Sequence, residues 1–452
     1  MKHNPHKLSV RIKLGWAIGE LAVAAYIGLT IGFLLFYATQ ALGISPWLAG
    51  LVLLAPRLWD AFTDPLMGAI SDRTKSPMGR RRPYLLLGSI LLGLSMIGLF
   101  HAPENATEMH KAIYLLVLYF AASTAITILD VPYSSMAAEM TDDYEERTSL
   151  IGYKMVAARV GILMVLFATP LIFAKGEDLV AGFRLVGLGF GAFIIITGVA
   201  SFFLTKNAPR LEQPVGKFSI RDELTAVREN QPFRALWTVF LFQNLAIGAS
   251  ATTLLYMLTF VINVEKTSIG SFMVIAAVTA TVLTPAWVML GRKMTKRKGY
   301  YIALVLSMLA PVPFLFIAPG ATTALFFMLI FVGTADAANQ LFPNSMVLDT
   351  VEVDELRSGE RREGAIFGAW AFCRKLGMTA GAFLVSLMLS WFGLIKGASI
   401  DMQPESAIMG VRLSYSLLPI VLWIIALLLL QRFKLTEEKF DAIKNQIEAK
   451  QN

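Results

Sequence analysis

The sequence predicts an all-α membrane protein of twelve transmembrane helices in two six-helix pseudo-repeats, with both termini cytoplasmic. Three observations carry that prediction. The chain is 56% hydrophobic and 16% charged, with a mean hydropathy of +0.61, which no ordinary soluble domain shows. Its apolar residues gather into runs close to the ~20 residues that cross a bilayer as a helix. Related segments recur six runs apart, so the second half repeats the first in the same orientation.

The runs fall at about 15–41, 47–71, 84–102, 112–138, 152–174, 184–204, 233–260, 268–290, 300–318, 322–347, 366–395 and 410–433. The first follows Lys7, Arg11 and Lys13 and lacks a small-residue cleavage site, so it reads as a retained helix and not as a removed signal. Basic residues cluster at Lys7–Lys13, Arg73–Arg82, Lys206–Arg228 and Arg292–Lys298, while the alternate loops carry isolated lysines such as Lys111, Lys175, Lys266 and Lys396. Cytoplasmic loops are the ones enriched in Lys and Arg, which fixes the orientation. The longest polar break follows span six. It divides the chain into a six-helix bundle over 1–205, a cytoplasmic linker over 206–232 and a second bundle over 233–452. The halves echo each other: VPYSSMAAEMTDDYEER follows span four and FPNSMVLDTVEVDELRSGERR follows span ten. A parallel repeat of this kind is the major facilitator plan, with a solute cavity expected between the halves at mid-membrane.

The net charge of +8 does not point to nucleic acid, because the basic residues occupy short loops between spans. A lone cysteine, Cys373, excludes an internal disulfide, and His3, His6, His101 and His110 have no metal-binding spacing. No G-x-S-x-G turn or sizeable soluble domain is present, which argues against a membrane enzyme or receptor, the reading furthest from transport. The expected setting is the plasma (inner) membrane, the expected partners are the lipid bilayer and a small-molecule solute, and the chain is expected to be monomeric and to need no cofactor.

The chemistry concentrates in RLWDAFTDPLMGAISDRTKSPMGRRRP, Arg57–Pro83. Arg57, Asp60 and Asp64 are spaced by three and four, which puts them on one helix face. A carboxylate at membrane depth costs about 2.5–3.5 kcal/mol by insertion scales and marks an ion pathway or an ion pair. Asp130, with Thr127 three residues before it, adds a third acid and a hydroxyl on span four. Asp60, Asp64, Asp130 and Thr127 therefore form a candidate oxygen site for Na⁺, Li⁺ or H⁺. The same pattern also fits structural pairing of the acids with Arg57 and with Lys375 of span eleven. Asp130 and the aromatic residues Tyr26, Tyr133 and Trp370 are candidates to face a solute ring, and Gln243 and Asn339 could bind solute or join helices. The acidic loops TDDYEERTSL and VDELRSGERREG place Glu139, Asp142, Arg147, Arg357 and Arg361 where inter-helix ion pairs could close a cytoplasmic gate.

These residues resemble the glycoside–pentoside–hexuronide:cation symporters, the melibiose-carrier branch of the major facilitators. The resemblance rests on RLWDAFTDPLMGAISDRTKSPMGRRRPYLLLG, LDVPYSSMAAEMTDDYEERTSL and VEVDELRSGERREG, spread over most of the chain. It implies a cation-coupled secondary symporter working by alternating access. By the same resemblance, Asp60, Asp64, Asp130 and Thr127 form the cation site, Thr63 stands at the position that tunes Na⁺ against H⁺, and Lys375 is the charge partner close to that site. The family's sugar contacts are replaced here by Ala24, Met155 and Ser134. Glu20, Lys154 and Arg159 lie near the lost positions. With Ala24 and Met155 taken as level, Glu20 and Lys154 differ in depth by about 4–5 Å and Glu20 and Arg159 by about 12 Å. Glu20 with Lys154 is thus the favoured relocated pair. The expected solute is a sugar, glycoside or related organic molecule, with a lysolipid or other amphipath as the alternative.

Overall fold

The computed structural model describes residues 7–211, 227–358, 362–435, 439–440, 442–443 and 445–446. The chain divides into two compact units. The first holds the described residues up to 211 together with Lys266–Gly270 and Lys396–Ala398, and the second holds the remainder.

The first unit contains α1 (Val10–Gly32), α2 (Pro46–Arg73), α3 (Arg82–Leu99), α4 (Glu108–Met140), α5 (Tyr144–Phe173) and α6 (Leu179–Leu204). α1 packs on α5 and α6, α2 on α4, and α3 on both α4 and α6. Starts are fixed by side chains that accept the otherwise orphaned N–H groups of a first turn. Ser9 caps α1, Thr107 caps α4, and Asp143 caps α5 by accepting from the Glu146 N–H at 2.8 Å. Small residues then allow close crossings. A Cβ on Gly161 would stand 2.6 Å from that of Ala24, and one on Gly88 would stand 2.7 Å from the Leu129 backbone, so α5 meets α1 and α3 meets α4 with no side chain between.

The second unit contains α7 (Gln231–Tyr256), α8 (Ile269–Gly291), α9 (Lys296–Leu309), α10 (Thr322–Ser358), α11 (Glu363–Trp391) and α12 (Glu405–Leu430, interrupted at Ser416). Its core is apolar and aromatic, with Phe233, Phe240, Trp287, Trp370 and Trp423 buried. One local irregularity recurs in both units. After α1 the chain makes a π turn, Tyr37–Ala41, with the Leu42 N–H on the Tyr37 carbonyl and the Ile44 N–H on that of Ala38. After α7 it makes another, Met257–Val261, with Ile262 on Met257 and Val264 on Leu258. The same offsets in both places are what related halves should share.

Among the described residues, eleven helices are long and apolar enough to cross a membrane. The expected second span, α2, is 28 residues long but is not one of the eleven. Its interior charges lower its apolar character, which is where the sequence placed the site. The stretch expected as an acidic loop after span ten is helical as far as Ser358, because α10 outruns its apolar run and carries Asp349 and Asp354. Those acids are matched by Lys296 at 2.6 Å and by two hydrogen bonds from Arg362 at 2.8 and 2.9 Å.

Candidate functional site

The site is built on α2 and α4. Asp60 of α2 is almost fully buried and accepts from the Arg57 guanidinium at 3.2 Å and from the Ser123 hydroxyl of α4. One turn on, Asp64 accepts from the Thr127 hydroxyl at 2.7 Å. Both rungs have the same sequence separation, 63 residues, so the two helices run parallel and in register over this stretch. Pro65 follows Asp64 and Pro132 lies two residues after Asp130. Neither proline has an N–H, so the helix carbonyls of Ala61 and Ile128 lose their usual donors beside the acids. Arg57 also donates to Thr30 at 3.3 Å and lies over the rings of Tyr26 and Tyr119 at 5.2 and 5.7 Å. The buried guanidinium thus has an anion, a hydroxyl and two π faces around it, as a charge away from water requires.

A second polar line runs from α4 to α1. Asp130 accepts from Ser134 at 3.0 Å, Ser134 accepts from the Lys154 ammonium of α5 at 2.8 Å, and Lys154 lies 3.3 Å from Glu20 of α1. Lys154 also sits over the rings of Tyr133 and Trp16, at 4.9 and 5.7 Å. The pair close in depth by sequence, Glu20 and Lys154, is thus in contact. Arg159, one turn further along α5, is half-buried and makes no hydrogen bond or ion pair among the described residues.

The three acids do not form one ready metal cage. Among the described residues, no group of three Asp, Glu, His or Cys side chains is placed to hold a metal ion. Asp60 is turned to Arg57 and Ser123, Asp64 to Thr127, and Asp130 to Ser134. Each carboxylate is instead matched with a hydroxyl. Thr63 donates to the carbonyl of Trp59 at 3.3 Å, on its own helix. Lys375 lies half-buried on α11 in the second unit.

The aromatic candidates are corrected by their packing. Tyr26 is 1% exposed and lies against Arg57; Tyr133 is stacked on Trp16 at 5.0 Å and donates to its carbonyl at 2.9 Å. Trp370 is stacked on Phe240 at 3.7 Å, and its indole N–H donates to Asn344 at 2.9 Å. All three faces are covered from within the protein. Gln243 accepts from Tyr300 and donates to the Asn339 carbonyl at 3.1 Å, which joins helices. The expected gate residues pair with other residues and not with one another. Glu139 pairs with Arg80 at 2.9 Å and Arg81 at 2.8 Å, Arg147 donates to the Thr141 carbonyl at 3.3 Å, and Arg357 pairs with Glu229. Asp142 is exposed, and Arg361 lies outside the described residues.

Ser123, Ser134 and Tyr119 were missed by the sequence reading. Ser123 stands four residues before Thr127 as Asp60 stands four before Asp64, a matched spacing that signals paired rungs on two parallel helices.

An all-α bundle with many long apolar helices and paired charges in its interior defines a multi-pass membrane protein, and the family match that follows makes it a secondary transporter. The chain belongs to the MFS/sugar transport protein family, which it matches over residues 15–437. It is similar to the uncharacterized symporter YnaJ of Bacillus subtilis (strain 168), 28% identical over 454 residues that cover 99% of this chain and 96% of that protein. It is also similar to the isoprimeverose transporter of Lactiplantibacillus pentosus, 26% identical over 423 residues that cover 90% and 85% of the two chains. Among solved structures, a bacterial homologue of the human lysosomal transporter Spinster shares the fold, with a TM-score of 0.74, 16% identity and coverage of 95% and 97%.

Proposed function

We propose that this protein is a cation-coupled symporter of the glycoside–pentoside–hexuronide type, carrying a sugar, glycoside or related organic solute across the plasma membrane by alternating access. The supporting relatives include a symporter and an isoprimeverose transporter. One observation carries the mechanism: Thr127 and Asp130, one turn apart on α4, join two polar systems. Thr127 reaches Asp64, while Asp130 reaches Ser134, Lys154 and Glu20 in sequence.

The coupling ion is Na⁺ or H⁺, with Li⁺ as a further candidate, held by oxygens of Asp60, Asp64, Asp130 and Thr127. Cation binding draws Asp130 away from Ser134, which loosens Lys154 and frees Lys154 and Glu20 for solute hydroxyls. Solute and ion therefore bind in a linked way, since each changes the partners available to the other. An inside-negative potential adds about 2.3 kcal/mol per charge per 100 mV to uptake. In reconstituted vesicles, Asp60→Cys and Asp130→Cys abolish accumulation driven by a Na⁺ or H⁺ gradient. Full gradient-driven uptake by both variants rules the assignment out. A thermal-shift screen of glycosides with and without Na⁺ identifies the solute, because a bound ligand stabilises the folded carrier.

A further inference from the structure

Beside the membrane-depth charges, the first unit has a pocket of about 660 Å³ at the end that its basic loops mark as cytoplasmic. It lies between the α2–α3 loop, the last turn of α4 and the chain beyond α6. Five of its described lining residues are cationic, Lys75, Arg80, Arg81, Arg82 and Arg210, and one is anionic, Glu139. Glu139 is shared between Arg80 and Arg81 at 2.9 and 2.8 Å, and Asp72, outside the lining, pairs with Arg81 at 2.8 Å, so two carboxylates stand against five positive charges. Arg82 is only 6% exposed. Its two terminal nitrogens donate to the Met78 and Phe202 carbonyls at 3.4 and 2.6 Å, while its Nε is buried with no hydrogen-bond partner among the described residues. Arg81 Nη1 is buried and unmatched in the same way.

A buried donor without an acceptor is costly, and like charges gathered around one cavity repel unless an anion lies between them. The wall is fixed and not a collection of loose side chains. Arg210 donates to the Pro77 carbonyl at 3.2 Å, the Leu211 N–H donates to the Glu139 carbonyl at 2.8 Å, and Gly79 takes a left-handed φ of 98° beneath Arg210. Guanidinium forks match the several oxygens and multiple charge of a phosphoryl group better than one carboxylate.

We propose that this pocket binds a phosphoryl anion, either inorganic phosphate or the headgroup of an anionic phospholipid. The site is distinct from the α2–α4 rungs and independent of the solute reading.

The test uses the full-length protein. In neutral detergent, inorganic phosphate is titrated against chloride at matched ionic strength, with thermal unfolding and ³¹P line broadening as readouts. In nanodiscs, phosphatidylcholine alone is compared with phosphatidylcholine containing phosphatidylglycerol. Saturable stabilisation by phosphate supports a soluble ligand, and stabilisation by phosphatidylglycerol alone supports a lipid headgroup. The Lys75→Gln/Arg210→Gln double variant needs about tenfold more phosphate, or loses the lipid effect. Glu139→Gln shifts affinity the opposite way, by about tenfold towards tighter binding. Lys75 is exposed, so Lys75→Gln alone keeps the test usable if the double variant does not fold. Stabilisation no greater than with chloride in either arm overturns the proposal, as does an unchanged response in Lys75→Gln and Glu139→Gln.

Discussion

Lys154 offers the most quantitative handle on the site. It contacts Glu20 at 3.3 Å, Ser134 at 2.8 Å and the rings of Tyr133 and Trp16. Lys154→Met keeps the apolar stem and removes the charge. At this distance and an effective dielectric of about 20, the Coulomb attraction is about 5 kcal/mol. The two side chains are 21% and 11% exposed, so desolvation and screening reduce the net loss to about 2–3 kcal/mol. The ring faces add about 1 kcal/mol. Lys154→Met is therefore expected to destabilise the protein by about 3 kcal/mol, and Glu20→Gln by about 2–3 kcal/mol because it leaves Lys154 facing a neutral group. The double variant removes both charges and loses about 3–4 kcal/mol instead of about 5–6 kcal/mol, a coupling of about 2 kcal/mol. Equilibrium unfolding of the four proteins in detergent measures each corner of the cycle. A coupling below about 0.5 kcal/mol means the two charges do not act on each other, and the line from Asp130 to Glu20 is then broken at its last link.

Thr127→Val removes the donor to Asp64; stability falls by about 1–2 kcal/mol, and cation-dependent uptake needs about tenfold more Na⁺ or H⁺. Arg57→Ala leaves Asp60 buried without its guanidinium and lowers stability by about 3–5 kcal/mol, whereas Arg57→Leu/Asp60→Leu recovers most of that loss, both read by thermal unfolding. Trp370→Ala opens a void against Phe240 and costs about 3–5 kcal/mol, yet the KM for solute stays at the wild-type value once uptake is scaled to folded protein. A rise in KM of tenfold or more would return that ring to the solute path.

The helical scaffold and the location of the site were legible because both rest on local facts. An apolar run long enough to span a bilayer has few alternatives, and charges inside such a run stand out. The Glu20–Lys154 contact was also within reach, since rise per residue converts sequence position into depth once two positions are taken as level. Periodicity tells which face a residue occupies but not which helix it meets. Hence Ser123 looked like an ordinary helix serine until α2 and α4 were set in register. Tyr26, Tyr133 and Trp370 offered open ring faces on paper, and only the packing of Arg57, Trp16 and Phe240 shows them covered. Sequence groups Glu139 with Asp142, Arg147, Arg357 and Arg361 as gate residues, because the proximity of Arg80 and Arg81 depends on how the α2–α3 loop folds back.

The equal spacing of the two α2–α4 rungs makes that seam a vernier with one matching mark. Slide α4 by one turn, about 5.4 Å, and Asp60 meets Thr127 while Asp64 meets the methyls of Val131. Slide it the other way, and Asp64 meets Ser123 while Asp60 is pressed against Tyr119. Either displacement loses one of the two matches, one buried and one part-buried, so the seam favours a single register. The two helices are thereby tied at two successive turns, and a change of register would have to break at least one tie.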